Sequence, residues 1–139
     1  ASMTGQARAT IRWARIAAGT LAVMGTGTVL STTTATSEPS RPALAVGAVP
    51  TGASGPAILF VWEDAATGRI HGRLRGADNA ELASRISGAT ADFAISAEGG
   101  AARHDPVAAF SGGDAKRFAV AWQGVDSMGD GIVMRQFPQ

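Results

Sequence analysis

The chain has 139 residues, a formal net charge of +1, 18 Gly and no cysteine. That length is sufficient for one domain with a buried core. The absence of cysteine excludes disulfides and thiolate metal sites, and a near-zero charge without any run of Lys or Arg argues against a nucleic-acid partner.

Near its start, the chain has the composition of an export signal. Residues 8–36 place arginines ahead of an apolar stretch, with small residues after it. Residues 11–30 are also consistent with a short membrane anchor, although the apolar part is shorter than the ~20 residues that span a bilayer. The arginines of this segment are Arg8, Arg12 and Arg15.

A third interpretation makes the N-terminus the end of a repeat that continues along the chain. Residues 10–16 align with residues 69–75, so the same strand pattern occurs at both places. The alignment favours this interpretation over a signal or an anchor. Isoleucines recur at Ile11, Ile70 and Ile132.

Two strands that end on tryptophan are the clearest repeated feature. Residues 58–62 and 118–122 lie 60 positions apart, and each is hydrophobic up to its tryptophan. A Pro-led apolar run precedes each strand, and an Ile-started segment containing Arg follows it. Three landmarks in one order indicate internal duplication and an architecture of small stacked sheets, as in a propeller or solenoid. The Pro-led runs begin at Pro42 and Pro106, and the Arg-bearing segments are 70–74 and 132–137.

The alternation of apolar side chains predicts the strands. The tryptophan strands are apolar on both faces, which is typical of strands between packed layers. Gly-rich turns are predicted, among them 129–131, and residues 32–41 are predicted as a surface loop. The predicted strands are 10–16, 20–29, 43–48, 57–63, 69–75, 81–86 or 92–96, 106–111, 117–123 and 131–137.

We predict one domain over residues 1–139. Residues 1–26 would be the end of a preceding repeat, or a signal or anchor. Residues 27–90 would form the first repeat and residues 91–139 the second.

The order of tryptophan strand, Asp/Gly turn and Arg-bearing strand resembles a family of bacterial repeat proteins. The resemblance is carried by residues 105–110, 118–123 and 126–137, with a more worn copy at 42–75. Proteins of that family are secreted and often very long, and their repeats are thought to build β-propeller blades. The resemblance implies an all-β fold: a partial β-propeller of about two four-stranded antiparallel blades plus extra strands. Because closed propellers have four to eight blades, we expect oligomerisation or a companion polypeptide to complete it.

An acidic turn is the one candidate metal site. Asp126 and Asp130, with Gly129 and Gly131 beside them, could hold Ca²⁺ through carboxylate oxygens. Asp and Gly are equally the residues of an ordinary hairpin turn, and no D-x-D-x-D-G loop is present. No other cofactor is expected.

Aromatic and basic residues supply the candidate ligand positions. Trp13 has Arg12 and Arg15 nearby in sequence, and an aromatic face of this kind can stack on a sugar ring. Trp62 and Trp122 end apolar strands and are expected in the core instead.

Arg73 and Arg135 recur at like positions in their strands. Each is expected to meet a carboxylate on the neighbouring blade or, alternatively, to mark an anion-binding position.

No catalytic arrangement is recognisable. His71 and His104 lie in different segments, and there is no G-x-S-x-G elbow or phosphate-binding loop. The sequence therefore predicts a non-catalytic binding or structural module outside the cytoplasm, secreted, periplasmic or on the cell surface. Other copies of itself or a companion polypeptide would be its partners, and a glycan a possible ligand. The alternative is an exported accessory protein held at a membrane by residues 11–30.

Overall fold

The chain folds as an all-β protein, which confirms the predicted class. The computed structural model describes residues 10–16, 18–20, 23–25, 38–50, 55–77, 80–82, 91–97, 103–113, 116–126 and 129–139. Within those ranges there are two larger antiparallel sheets of four and three strands, a short two-stranded pair, and no helix. The strands are β1 (Arg15–Ile16), β2 (Val23–Gly25), β3 (Pro39–Val46), β4 (Ala57–Asp64), β5 (Arg69–Gly76), β6 (Phe93–Ala94), β7 (His104–Ser111), β8 (Arg117–Asp126) and β9 (Gly129–Pro138).

The first sheet has the order β3-β4-β5-β6, with β4 and β5 in its centre. The two central strands are joined by a tight turn in which the Gly68 N–H donates to the Asp64 carbonyl at 2.8 Å. Gly68 has a φ of 64°, in the left-handed region that glycine adopts without strain. The Asp64 carboxylate accepts from the backbone N–H groups of Glu38 and Ala66, which fixes the turn further.

The second sheet has the order β7-β8-β9, and it ends in a longer hairpin than the sequence predicts. Asp126 pairs with Gly129, and Val125 pairs with Asp130, so residues 129–131 lie in β9 and not in a turn. The reason is that Gly129, with a φ of 108°, lets the chain reverse earlier and the ladder continue into the Gly-rich segment.

Prolines mark the outer strands of both sheets. Pro42 and Pro106 lie inside β3 and β7, which are edge strands, where a residue without an N–H is tolerated. Each proline sits at a register shift, and the preceding residues, Arg41 and Asp105, have φ values of 49° and 52°. The prediction of a loop over residues 32–41 is therefore wrong for its last part, because a β-bulge lets the strand pass through the proline.

The first three strands of the first sheet and the strands of the second have the same pairing register. Ser40 lies opposite Glu63 in one, and His104 lies opposite Gln123 in the other. The same match of register is found in the next pair of strands: every residue pair between β4 and β5 has a counterpart between β8 and β9. Further matched pairs are Val61–Gly72 with Ala121–Met134, and Phe60–Arg73 with Val120–Arg135.

A single core lies between the two larger sheets. β7 is the strand of the second sheet whose backbone runs closest to the first sheet. The other strands of the second sheet lie farther from the first, and the space between the sheets is filled partly by phenylalanines, with the rings of Phe93 and Phe137 edge-on at 6.3 Å. The sheets thus form a wedge. The fully buried members of this core include Leu59, Val61, Ile70, Ile95, Phe118 and Val120.

A smaller core covers the opposite side of the first sheet. Ile11 is buried against Phe60 and Trp62, and Trp13 tilts against Phe60 at 5.7 Å between ring centroids. The N-terminal segment therefore acts as a third layer over this sheet.

The strand count of the second sheet needs correction, and the structure decides between the two alternative strands predicted at 81–86 and 92–96. The second sheet has three strands among the described residues, not four. The alternative strand at 92–96 forms, as β6, whereas Glu81 makes an isolated bridge to Arg75 and residues 83–86 lie outside the described part. β6 pairs with β5, so it belongs to the first sheet although the predicted boundary places it in the second repeat. Neither sheet closes on itself.

Candidate functional site

A polar cluster joins the two sheets at the narrow side of the wedge. Glu63, near the end of β4, has a side chain only 7 % exposed and points towards the second sheet. One carboxylate oxygen accepts from the Ser40 hydroxyl at 3.0 Å, and the other accepts from the Asp105 backbone N–H at 3.1 Å. Arg41 Nε and His104 Nδ1 each lie 3.5 Å from this carboxylate.

Arg41 and Asp105 also bind each other across the two sheets. The Arg41 guanidinium donates to the Asp105 carboxylate, and both side chains remain more than half exposed. The hydrogen bond and charge of Asp105, with a smaller contribution from Glu63, raise the pKa of Arg41. This pair links matched positions, since each residue precedes the proline of its own strand.

The geometry of this cluster is that of a structural joint. Both oxygens of Glu63 are engaged by donors of the protein, and the carboxylate is largely withdrawn from water. A buried carboxylate with this many donors is held in one position and stabilises the contact between the elements that supply them.

Arg73 and Arg135, which were predicted to hold like positions, have different hydrogen-bond partners. Arg73 binds Glu81 at 2.5 Å and Asp92 at 3.3 Å, both of which belong to the first sheet or its flanking segments. Arg135 donates across the wedge to the Ile95 carbonyl at 2.7 Å. Arg73 therefore meets two carboxylates, of which Asp92 lies beyond the predicted boundary between the repeats, whereas the partner of Arg135 is a backbone oxygen and not the expected carboxylate.

The N-terminal candidates lie over the first sheet. Trp13 is half-buried against Phe60, and Arg12 is exposed. Arg15 lies in β1, paired with Gly25, and its side chain is outside the described part of the structure. Trp13 thus lies over the first sheet, whereas Arg135 lies in β9 of the second sheet.

Trp62 and Trp122 are buried, as expected for core residues. Trp62 stacks on His71, its cross-strand partner, with ring centroids 6.3 Å apart. Burial lowers the pKa of His71, an effect that the nearby Asp64 and Asp92 oppose. Its Nε2 atom is buried without a hydrogen-bond partner among the described residues, which also disfavours the charged imidazolium.

The candidate calcium residues lie at the end of the β8–β9 hairpin. Asp130 is exposed and pairs in the ladder with Val125, while the side chain of Asp126 is outside the described part. No group of three acidic or histidine side chains that could hold a metal ion occurs in the described ranges.

Large apolar side chains are exposed on two faces of the molecule. One, here called the outer face, is the side of the second sheet turned away from the first, and its Val107, Ile132 and Met134 are 61 %, 76 % and 60 % exposed. The other, here called the front face, is the Trp62 side of the first sheet. Its β3 part is open, with Leu44 and Val46 exposed at 55 % and 53 %. Both assignments follow from the pairing registers and the alternation of side chains along each strand.

Sequence reasoning missed both the joint and these two faces. A usable signal was present, since Arg41-Pro42 and Asp105-Pro106 are matched dipeptides with opposite charges. The contact of Glu63 with Asp105 is long-range and has no such signal.

Comparison with known protein families, with characterised proteins and with solved structures gave no match. The described residues contain no helix of sufficient length and apolarity to cross a membrane.

Proposed function

We propose that this protein is a non-catalytic binding or structural module, built from two copies of a β-sheet repeat and extended by further sheets. The repeats would be of the propeller type, and the partner that adds the next sheet would be another copy of the chain or a companion polypeptide. The proposed location outside the cytoplasm follows from the resemblance to secreted repeat proteins.

The proposal rests on one observation. The side of the repeat that is buried in the first sheet is exposed to solvent in the second sheet. In the first sheet, Leu59 and Val61 are completely buried beneath the second sheet. Their counterparts by register, Ala119 and Ala121, lie on the outer face beside exposed Val107 and Met134. A soluble monomer rarely leaves apolar side chains clustered on one face, and such a face is typical of an interaction site.

The stacking has a direction. The tryptophan side of the second sheet covers the opposite side of the first, so each further sheet would repeat this head-to-tail contact. Repeated heterologous contacts of one kind generate a closed ring when the rotation fits, and an open fibre when it does not. A wedge between successive sheets is the geometry from which a ring can close.

Of the three tryptophans, Trp13 is the one whose burial leaves part of its ring free to stack on a glycan. Trp62 and Trp122 have no accessible face, whereas Trp13 is half-buried with exposed Arg12 beside it. Silence on a glycan array would exclude this ligand class and leave the structural role unaffected.

The experiment that tests the proposal is the solution mass by light scattering, with intact mass spectrometry of the same peak. We expect a multiple of 14.0 kDa or a complex with a second polypeptide. Met134→Lys places a charge on the outer face and should reduce the association. Val49→Lys is the matched control, because Val49 is also exposed, at 55 %, but lies outside both faces. A monomer at all concentrations, without a second polypeptide, would contradict the proposal.

A further inference from the structure

We infer that the outer face is occupied by a second copy of this chain, which docks through the β3 part of its front face and places its Arg41 beside Asp105 and Gln123. This inference rests on the proposed function and specifies the partner and the contact. Its basis is the joint between the two sheets of one chain, because the contact proposed between two chains is of the same kind.

The first step concerns the backbone. In the joint, Glu63 accepts a hydrogen bond from the N–H of Asp105 in the next sheet, at 3.1 Å. Gln123 occupies the place of Glu63 in the second sheet, because it pairs with His104 as Glu63 pairs with Ser40. The residue that corresponds to Asp105 in the next sheet would be Arg41 of the second copy. The amide oxygen of exposed Gln123 can accept from that N–H, as the carboxylate of Glu63 does in the joint.

The second step concerns charge. Asp105 and Arg41 hold matched positions with opposite charges, and both are more than half exposed while they bind each other. A second copy docked in register would add its Arg41 on the far side of Asp105. The charges would then alternate along the edge from sheet to sheet, so each carboxylate would lie between two guanidinium groups. Such complementarity selects both the partner and its orientation.

The third step concerns apolar contact. Beside the joint, where β3 and β7 run close together, Ala108 and Phe110 of β7 pack against the same buried core as Ala43 and Ala45 of β3. The counterparts of Ala108 and Phe110 on the front face are the exposed Leu44 and Val46. The counterparts of Ala43 and Ala45 on the outer face are Val107, which is 61 % exposed, and Ala109. The outer face and the β3 part of the front face therefore match the two surfaces that are in contact between the sheets of one chain.

The test exchanges the two charges. The double variant Arg41→Asp/Asp105→Arg keeps the pair inside the joint with its polarity reversed. The backbone accepts the exchange at both positions, since Arg and Asp already adopt φ near 50° there. The exchange also removes the contact of Arg41 with Glu63, so the folding of the double variant is checked first by urea unfolding. Wild type should associate with itself, and the double variant with itself. A mixed contact would instead set two carboxylates, or two guanidinium groups, against each other across the interface.

Mixing is measured with two fluorophores, one on each protein, by energy transfer at low salt. We expect mixed complexes to form roughly fivefold to tenfold more weakly than either homotypic complex, with the difference lost at high salt. Gln123→Ala gives a second readout that leaves the joint intact: it should weaken self-association several-fold without changing the free energy of unfolding.

The outcomes separate the two proposals. If both proteins associate but mix freely, and Gln123→Ala has no effect, this inference is wrong while the proposed function stands. If neither protein associates with anything, both proposals fall. If the double variant does not fold, Gln123→Ala decides alone, and unchanged self-association in that variant would overturn the inference.

Discussion

The joint at Glu63 allows one prediction to be worked out in detail. Glu63→Ala removes the acceptor for Ser40 and for the Asp105 N–H, and it removes the negative charge that faces Arg41 and His104. A hydrogen bond to a charged group contributes about 1.5–3 kcal/mol net, so losing two such bonds should lower the free energy of unfolding by about 3–6 kcal/mol. That is a large part of the roughly 5–15 kcal/mol of a typical domain.

Urea unfolding followed by tryptophan fluorescence measures this change. Glu63→Gln keeps an amide oxygen as an acceptor but loses the charge, and it should cost about 1–2 kcal/mol. The matched control is Gln123→Ala, at the corresponding position of the second sheet, where the side chain is exposed and the change should stay within about 0.5 kcal/mol. The slope against denaturant should not change, because the same surface is exposed on unfolding.

The reasoning would be refuted if Glu63→Ala cost less than about 1 kcal/mol, or if Gln123→Ala in the monomeric protein cost as much as Glu63→Ala. Either result would mean that the polar cluster at Glu63 adds little to the contact between the sheets.

Three further measurements address the core, the pH response and the metal. Gly72→Ala should lower stability by about 1–3 kcal/mol in thermal unfolding, because an added Cβ would lie 2.7 Å from Ile95 Cδ1; a neutral effect would show that the core yields there. The pKa of His71 in the folded state lies below its ordinary 6.5, so the unfolded chain binds more protons and stability should fall as pH drops below about 6.5. His71→Gln should flatten that decline, and an unchanged pH profile would exclude His71 as its cause. If the hairpin binds calcium, a chelator should lower the thermal midpoint and Asp126→Ala or Asp130→Ala should abolish the response, whereas indifference to chelation would exclude the site.

The tryptophan strands could be predicted because their information is local. Alternating apolar residues around Trp62 and Trp122 predict a strand with an apolar tryptophan side, and the burial of both tryptophans confirms it. The expectation of packed layers on both sides is confirmed for β4 alone, since Ala119 and Ala121 of β8 lie on the outer face. The spacing between the two strands also predicted that they hold equivalent positions in their sheets, although it does not say how the sheets contact each other.

The matched dipeptides of the joint could be found in the sequence, but its geometry could not be predicted, because that geometry depends on features that a pattern does not carry. Pro42 and Pro106 usually interrupt a strand, and only a left-handed φ at Arg41 and Asp105 lets β3 and β7 continue. Glu63 reads as an ordinary polar residue after a tryptophan. Its burial follows from the approach of a strand that lies about 40 residues later in the chain.

The N-terminal cover over the first sheet has a consequence for growth. Ile11 and Trp13 already occupy the Phe60 and Trp62 part of the front face, so the proposed second copy would bury only the part beside β3. The contact between molecules is then smaller than the one within a molecule, and burial energy scales with area. Dilute chains would stay separate and add to one another only as their concentration rises. The size of such an assembly would then be set by mass action, because every added copy forms the same contact.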